Sequence, residues 1–294
     1  MPADPAVSSA GASLTRANMQ AAAIVLCAFA LFSGTDVIVK LLTERFAVPQ
    51  VTCMVTAAAF LFVVGTALAA GHGQAFWPRY PALAFVRAAL LAADTLLIHY
   101  AFAALPLAEA YVLAFLSPVL VAVLSFALLG ERLSRLAWIG VFLGFSGVIV
   151  ALKPGIAPMN IGHAAAIGSA LLFAFSLVLL RRTHTKESDT ALVATLLVVL
   201  GLLSFGVTLA GGGFATVAMD DIILVVAAGL MLFGGHALLV RAFRTGEASV
   251  VAPFQYSQII WGCLYGALVF GAPVEIHTLA GAAIIIASGW LVLK

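Results

Sequence analysis

The sequence predicts an all-α integral membrane fold of ten transmembrane helices, arranged as two inverted five-helix repeats. Three observations carry this. Of 294 residues 64% are hydrophobic and only 9% charged, with mean hydropathy +1.18, which leaves too little polar side chain to wet a soluble globule. The apolar residues fall into ten runs of spanning length. The second five runs trail the first five by about 141 residues: Ala101-Phe102 falls on Ala242-Phe243, Gly130 on Gly271, Gly140 on Gly281 and Lys153 on Lys294. Because five is odd, similarly folded halves must enter the bilayer with opposite polarity.

The predicted spans are 20–42, 48–70, 80–103, 107–129, 135–152, 160–182, 189–210, 219–243, 247–270 and 276–293. Pro49, Pro78-Arg79, Leu105-Pro106, Gly130-Glu131, Pro154-Gly155 and Thr245-Gly246 punctuate them. At roughly 20 residues per span the loops are too short for an extramembrane domain. The chain therefore divides into a disordered cytoplasmic leader (1–19), without the basic start and cleavage site of a secretory signal, and two repeats, 20–153 and 160–294. Cys27, Cys53 and Cys263 lie inside spans and indicate no disulfide framework. Trp77, Trp138 and Trp290 fall near span ends, as interfacial aromatics do.

Basic residues set the orientation. Arg16, Arg79, Arg132, Arg135, Arg181, Arg182, Lys186, Arg241, Arg244 and Lys294 share one side; Lys40, Arg45 and Lys153 are on the other, and Arg87 lies within a span. By the positive-inside rule both termini are cytoplasmic. Corresponding joints differ in charge as inversion demands. The joint between spans 4 and 5 carries Arg132 and Arg135, whereas its partner around Glu275 carries neither. The joints after spans 1 and 6 do not flip cleanly.

Ser117-Pro118-Val119 after a tight span 3–4 hairpin, then Leu129-Gly130-Glu131-Arg132-Leu133 leading into Trp138-Ile139-Gly140, resemble the drug/metabolite transporter superfamily, specifically its EamA-type members. The likeness covers nearly the whole chain, and its general appearance is most similar to bacterial exporters of aromatic and other amino acids. The second half departs from the motif, with Ala272-Pro273 after Gly271, so Glu131 reads as a structural cap or loop carboxylate. The resemblance implies a multi-pass protein of the bacterial inner membrane and a cavity lined mainly by spans 1, 3, 4, 6, 8 and 9, open to either side in turn.

Polar side chains inside hydrocarbon are costly and mark cavities. In span 9, Phe254, Gln258, Trp261 and Tyr265 follow one helical face, with Gln255 and Tyr256 at the same depth. Amides beside rings suit a zwitterion with an apolar side chain; the alternative is interhelical glue. Span 3 carries Arg87, Asp94, Thr95 and His99. Arg87 is placed to snorkel toward the cytoplasm, and a pair with Asp94 is not expected because the arginine leans away. Thr95 and His99 are candidate substrate contacts. Asp36 and Asp94, the carboxylates within the spans, are candidates for proton coupling or for binding an ammonium; Asp36 sits toward the outer end of span 1, within reach of water. Tyr111 with Phe115, Phe173 paired with Phe32 at the repeat offset, and His236 complete the set. Pro118 is expected to bend span 4 beside the site.

The sequence carries no phosphate-binding Gly-Lys loop, no His-Glu-x-x-His pair and no clustered metal ligands, so no catalytic residues, metal or cofactor are assigned. No basic patch indicates nucleic acid. Gly140 with Gly144, and Gly262 with Gly266, have the spacing of close helix contacts. The functional expectation is a secondary transporter exporting small organic metabolites, amino acids including aromatic ones, in contact with membrane lipid. A lipid flippase of the same fold and an intramembrane enzyme built on Asp36 and Asp94 are the alternatives.

Overall fold

The computed structural model describes residues 5–69, 71, 77–130, 132–153, 159–183, 189–246 and 251–292. Glu131, Lys186 and Lys294, and the side chains of Arg181 and Arg182, lie outside the described residues, so the cap role of Glu131 and these parts of the charge count have no structural counterpart here. Among the described residues the chain is helical throughout, without strands.

The helices are α1 Pro5–Thr43, α2 Val48–Ala69, α3 Pro81–Ala104, α4 Leu107–Ala114, α5 Ser117–Leu129, α6 Arg135–Leu152, α7 Ile161–Thr183, α8 Asp189–Ala210, α9 Met219–Thr245, then a 3-10 turn Ala252–Tyr256, α10 Ser257–Phe270 and α11 Ile276–Val292. Eight segments, from Arg16–Thr43 to Met219–Thr245 with α4 and α5 as one, are long and apolar enough to cross a bilayer. Ile276–Leu291 is shorter and α10 has 14 residues. Helix α1 begins at Pro5, so the backbone is helical over most of the stretch expected to be a disordered leader; the Ala-rich composition favours this.

Local chemistry sets the boundaries. Pro118 has no N–H and cannot continue a helix from Ala114, so span 4 breaks at Phe115 and Leu116, and α5 restarts with the proline in its first turn. Gly130 and Gly271 terminate α5 and α10 in the left-handed conformation, with φ of 69° and 59°. The Ser134 side chain accepts from the Ala137 N–H and caps α6. Span 9 is not the continuous helix expected. Pro253 leaves a 3-10 turn ahead of α10, and the change of winding offsets Phe254 from the α-helical face that carries Gln258, Trp261 and Tyr265.

The principal packing partners belong to opposite halves: α1 lies on α9, α3 on α7, α6 on α11, and α2 between α8 and α9. Exchanging α1, α2, α3, α4–α5 and α6 for α7, α8, α9, turn–α10 and α11 turns this pattern into itself, for α2 on α9 becomes α8 on α3. Helices α6 and α11 run antiparallel. Gly281 lies against Ala151, and a Cβ at Gly144 would stand 2.7 Å from the Ser288 hydroxyl. Of the expected small-residue pairs, Gly144 and Gly262 are sites of close approach, whereas a Cβ at Gly266 would meet nothing within 4 Å.

Polar bonds tie the halves together at the end that holds the α1–α2, α3–α4 and α8–α9 connections. Arg45 Nη1 lies 2.6 Å from Asp221 Oδ1, and the Gln50 amide exchanges two hydrogen bonds with the Ala215 backbone. His163 Nδ1 accepts from the Asn160 N–H, leaving Nε2 to donate to Glu109 Oε1 at 3.1 Å. Lys40, counted in the sequence as an outer basic residue, donates to Phe102 O and Leu105 O at 2.6 and 2.8 Å and so caps the end of α3.

Candidate functional site

The two families of helices enclose a cavity of about 430 Å³, lined from α1, α2, α3, α4, α7, α8, α9, the 3-10 turn and the first turns of α5 and α10. Contributions from α2 (Val55, Thr56) and α8 (Leu200) extend the expected wall. Toward the α3–α4 end it is polar, with Asp36, Asp94, Thr95, His99, Tyr111 and Ser117; Phe29, Leu239, Phe243 and Val251, with Gln255 beside them, line the other end.

Helical spacing on α3 builds one wall, since Asp94, Thr95, Ile98, His99 and Phe102 recur every three or four residues. The Asp94 carboxylate accepts from the Ser169 hydroxyl of α7 at 2.5 Å. The Thr95 hydroxyl turns back to Leu91 O. His99 Nδ1 lies 2.8 Å from the Thr52 hydroxyl. On the facing wall Tyr111 Oη donates to Asp36 Oδ2 at 2.5 Å. The break between α4 and α5 is what lets Tyr111, Phe115 and Ser117 all face inward. Rings continue the wall: Phe102 meets Tyr111 edge-on at 5.3 Å, Tyr111 stacks on Phe115 at 6.3 Å, and Phe115 meets Tyr256 edge-on at 5.3 Å.

The structure thus gathers Asp36, Asp94, Thr95, His99, Tyr111, Phe173, Gln255 and Gln258 on one cavity. His236, Tyr256, Trp261 and Tyr265, expected from the sequence to contact substrate, stand outside its lining. His236 sits behind Phe32, edge-on at 4.9 Å, with Nδ1 donating to Leu232 O. Tyr256 supports Phe115, and Trp261 stacks on Tyr265 at 6.0 Å with its indole nitrogen buried and unpartnered. Asp36 is a bonded part of the cavity wall, not a carboxylate at the outer water. Among the described residues no ion pair joins Arg87 to Asp94, and the Arg87 Nε is buried without a partner. Thr52, Ser169, Phe29 and Phe102 were missed: they read in sequence as ordinary span residues, and only helix pairing reveals their neighbours. Among the described residues no three His, Cys, Asp or Glu side chains converge on a metal-sized site.

A multi-pass helical membrane protein with a substrate-sized aromatic cavity between its halves is built as a small-molecule carrier. The model of the EamA-like transporter family matches residues 19–153 and again 160–294, and the chain belongs to that family. It is a transporter of small metabolites, not an enzyme. A riboflavin transporter of Rhizobium johnstonii is 28% identical over 283 residues, covering 95% of this chain and 92% of the relative. A pseudopaline exporter of Pseudomonas aeruginosa is 28% identical over 189 residues, covering 64% of this chain and 66% of its own length. An S-adenosylmethionine uptake transporter of Rickettsia bellii is 25% identical over 191 residues, 64% of each. These two matches span slightly less than two thirds of the relatives' lengths. A solved crystal structure shares the fold with TM-score 0.64 at 20% identity, over 93% of this chain and 96% of that one.

Proposed function

We propose that the chain is a ten-span secondary transporter of the bacterial inner membrane, with both termini cytoplasmic and two inverted five-helix repeats. The repeated family match, the packing pattern that maps onto itself and the antiparallel run of the equivalent helices α6 and α11 support inversion. Transport is by alternating access, and the cross-half pairing indicates which bodies move. Because α1 packs on α9 and α3 on α7, each moving unit draws helices from both repeats instead of being one repeat. The polar ties at the α3–α4 end support a resting state closed outside, with the end lined by Phe243 and Val251 toward the cytoplasm.

The favoured cargo is an amino acid, aromatic ones included, moved outward without ATP. The observation that carries this is the lining itself: aromatic rings and carboxamides with two carboxylates, and no Lys or Arg among the described lining residues. A dianion such as a sugar phosphate would call for several cationic partners. The near full-length likeness to a riboflavin transporter favours a second reading, a flat heteroaromatic cargo stacked on the same rings.

Counterflow in proteoliposomes tests both. Purified protein is loaded with unlabelled amino acids or riboflavin and challenged with the labelled compound, with and without an imposed proton gradient. Exchange of phenylalanine or tryptophan is expected. Exchange of riboflavin alone would replace the first reading with the second, and no exchange of any compound would remove both. Indifference to the gradient would leave a facilitator in which Asp36 and Asp94 carry no coupled proton.

A further inference from the structure

The polar end of the cavity is dominated by acceptors. The Thr52 hydroxyl is fully buried, 2.9 Å from Val48 O and 2.8 Å from His99 Nδ1. It has one proton. If that proton went to the imidazole, the hydroxyl and carbonyl oxygens would face each other at 2.9 Å with nothing between them. Given to Val48 O, it leaves a lone pair for a proton on Nδ1, and both contacts are satisfied. The neutral ring then carries a bare Nε2. No described residue bonds Nε2, and His99 lines the cavity.

Most neighbouring hydroxyls cannot offset this, because their protons are already used; Thr56, Ser117 and the Gln255 and Gln258 carboxamides are the donors that the described lining keeps. Tyr111 donates to Asp36 and Ser169 to Asp94, while Thr35 and Thr95 donate to carbonyls one turn back, Leu31 O and Leu91 O. Among the described lining residues there is no Lys or Arg. The two carboxylates and the bare Nε2 are therefore best met by a ligand that brings donors, and an ammonium brings three together with a charge opposite to that of the carboxylates.

We infer that the cavity selects its substrate by a protonated amine seated among Asp36, Asp94 and His99 Nε2, with Thr52 acting as a positioning residue that holds His99 as an acceptor. The aromatic wall from Phe102 to Phe115 takes the apolar body. This rests on the cavity being the transport site, and it narrows the cargo to amine-bearing compounds over their neutral or anionic counterparts.

The test uses compounds that share a phenyl group and a short chain and differ in the polar end. Thermal unfolding of the full-length protein in detergent is followed with 2-phenylethylamine, 3-phenylpropionate and N-acetyl-2-phenylethylamine. A shift to higher temperature with the amine alone is expected. Thr52→Val should weaken the amine's apparent affinity about tenfold, as loss of one oriented hydrogen bond does, and Thr52→Ser should restore it. In protein labelled with 15N-histidine, the wild-type signal lost in His99→Gln should report protonated Nδ1 and bare Nε2. No shift with the amine, equal shifts with all three compounds, or a His99 signal with protonated Nε2 overturns the inference. If the amine binds but counterflow fails, the transport reading falls and the recognition stands; if counterflow runs but favours the propionate, the reverse holds.

Discussion

Tyr111→Phe deletes one oxygen and leaves the ring in place. That ring keeps its contacts with Phe102 and Phe115, so the change reads the bond to Asp36 and little else. The hydroxyl is 2.5 Å from Asp36 Oδ2, and the tyrosine is only 3% exposed. A hydrogen bond to a carboxylate contributes about 1.5–3 kcal/mol, and the partner left behind adds its own desolvation cost. A loss of about 2 kcal/mol, roughly thirtyfold in the folded-to-unfolded ratio, is the expected outcome. The assay is an unfolding titration in mixed micelles on a double-mutant cycle of Tyr111→Phe and Asp36→Ala, each of which removes one partner of the bond. If the bond is real, the double variant loses less than the two singles together, with a coupling of about 1–2 kcal/mol. Strictly additive losses would refute it, and with it the claim that Asp36 is held as part of the cavity wall.

Three further outcomes follow from the packing. Gly262→Ala would place a Cβ 2.7 Å from the Tyr111 ring and should destabilise by about 1–3 kcal/mol, whereas Gly266→Ala, which meets nothing within 4 Å, should be neutral or gain up to about 1 kcal/mol of helix propensity; the same titration separates them. Asp221 is 1% exposed and holds both Arg45 and the Ala218 N–H, while the Arg45 side chain is 61% exposed. Asp221→Ala should therefore cost about 1–2 kcal/mol through the lost cap, and Arg45→Ala less. Gly235→Ala would set a Cβ 2.8 Å from Phe32, displacing a ring that lines the cavity, and in counterflow should impair bulky aromatic substrates more than alanine.

The sequence already carried most of the helix boundaries, since apolar run length and Gly or Pro punctuation are local properties: α6 was expected at 135–152 and occurs at Arg135–Leu152. Pro118 announced the break in span 4 for the same reason. Pro253, equally local, breaks the single face drawn from Phe254 onward, but Gln258, Trp261 and Tyr265 lie on one α-helix, and only the seating of α10 against its neighbours decides which of them reaches the cavity. Asp94, Thr95 and His99 were legible because polar side chains on an apolar helix are costly. Their partners were not. Whether Ser169 faces Asp94, or Thr52 faces His99, depends on how α7 and α2 settle against α3, and no periodicity along one helix encodes that. Lys40 shows the limit from the other direction: a charge counted as a loop signal is used to cap a neighbouring helix.

The claim beneath the whole account is that equivalent helices of the two halves cross the membrane in opposite directions. Single cysteines at Arg135 and Glu275, in a background with Cys27, Cys53 and Cys263 replaced, can be labelled in intact cells with a membrane-impermeant maleimide. The account predicts that position 275 reacts from outside and that position 135 reacts only after the membrane is opened. Labelling of both positions from the same side would contradict it.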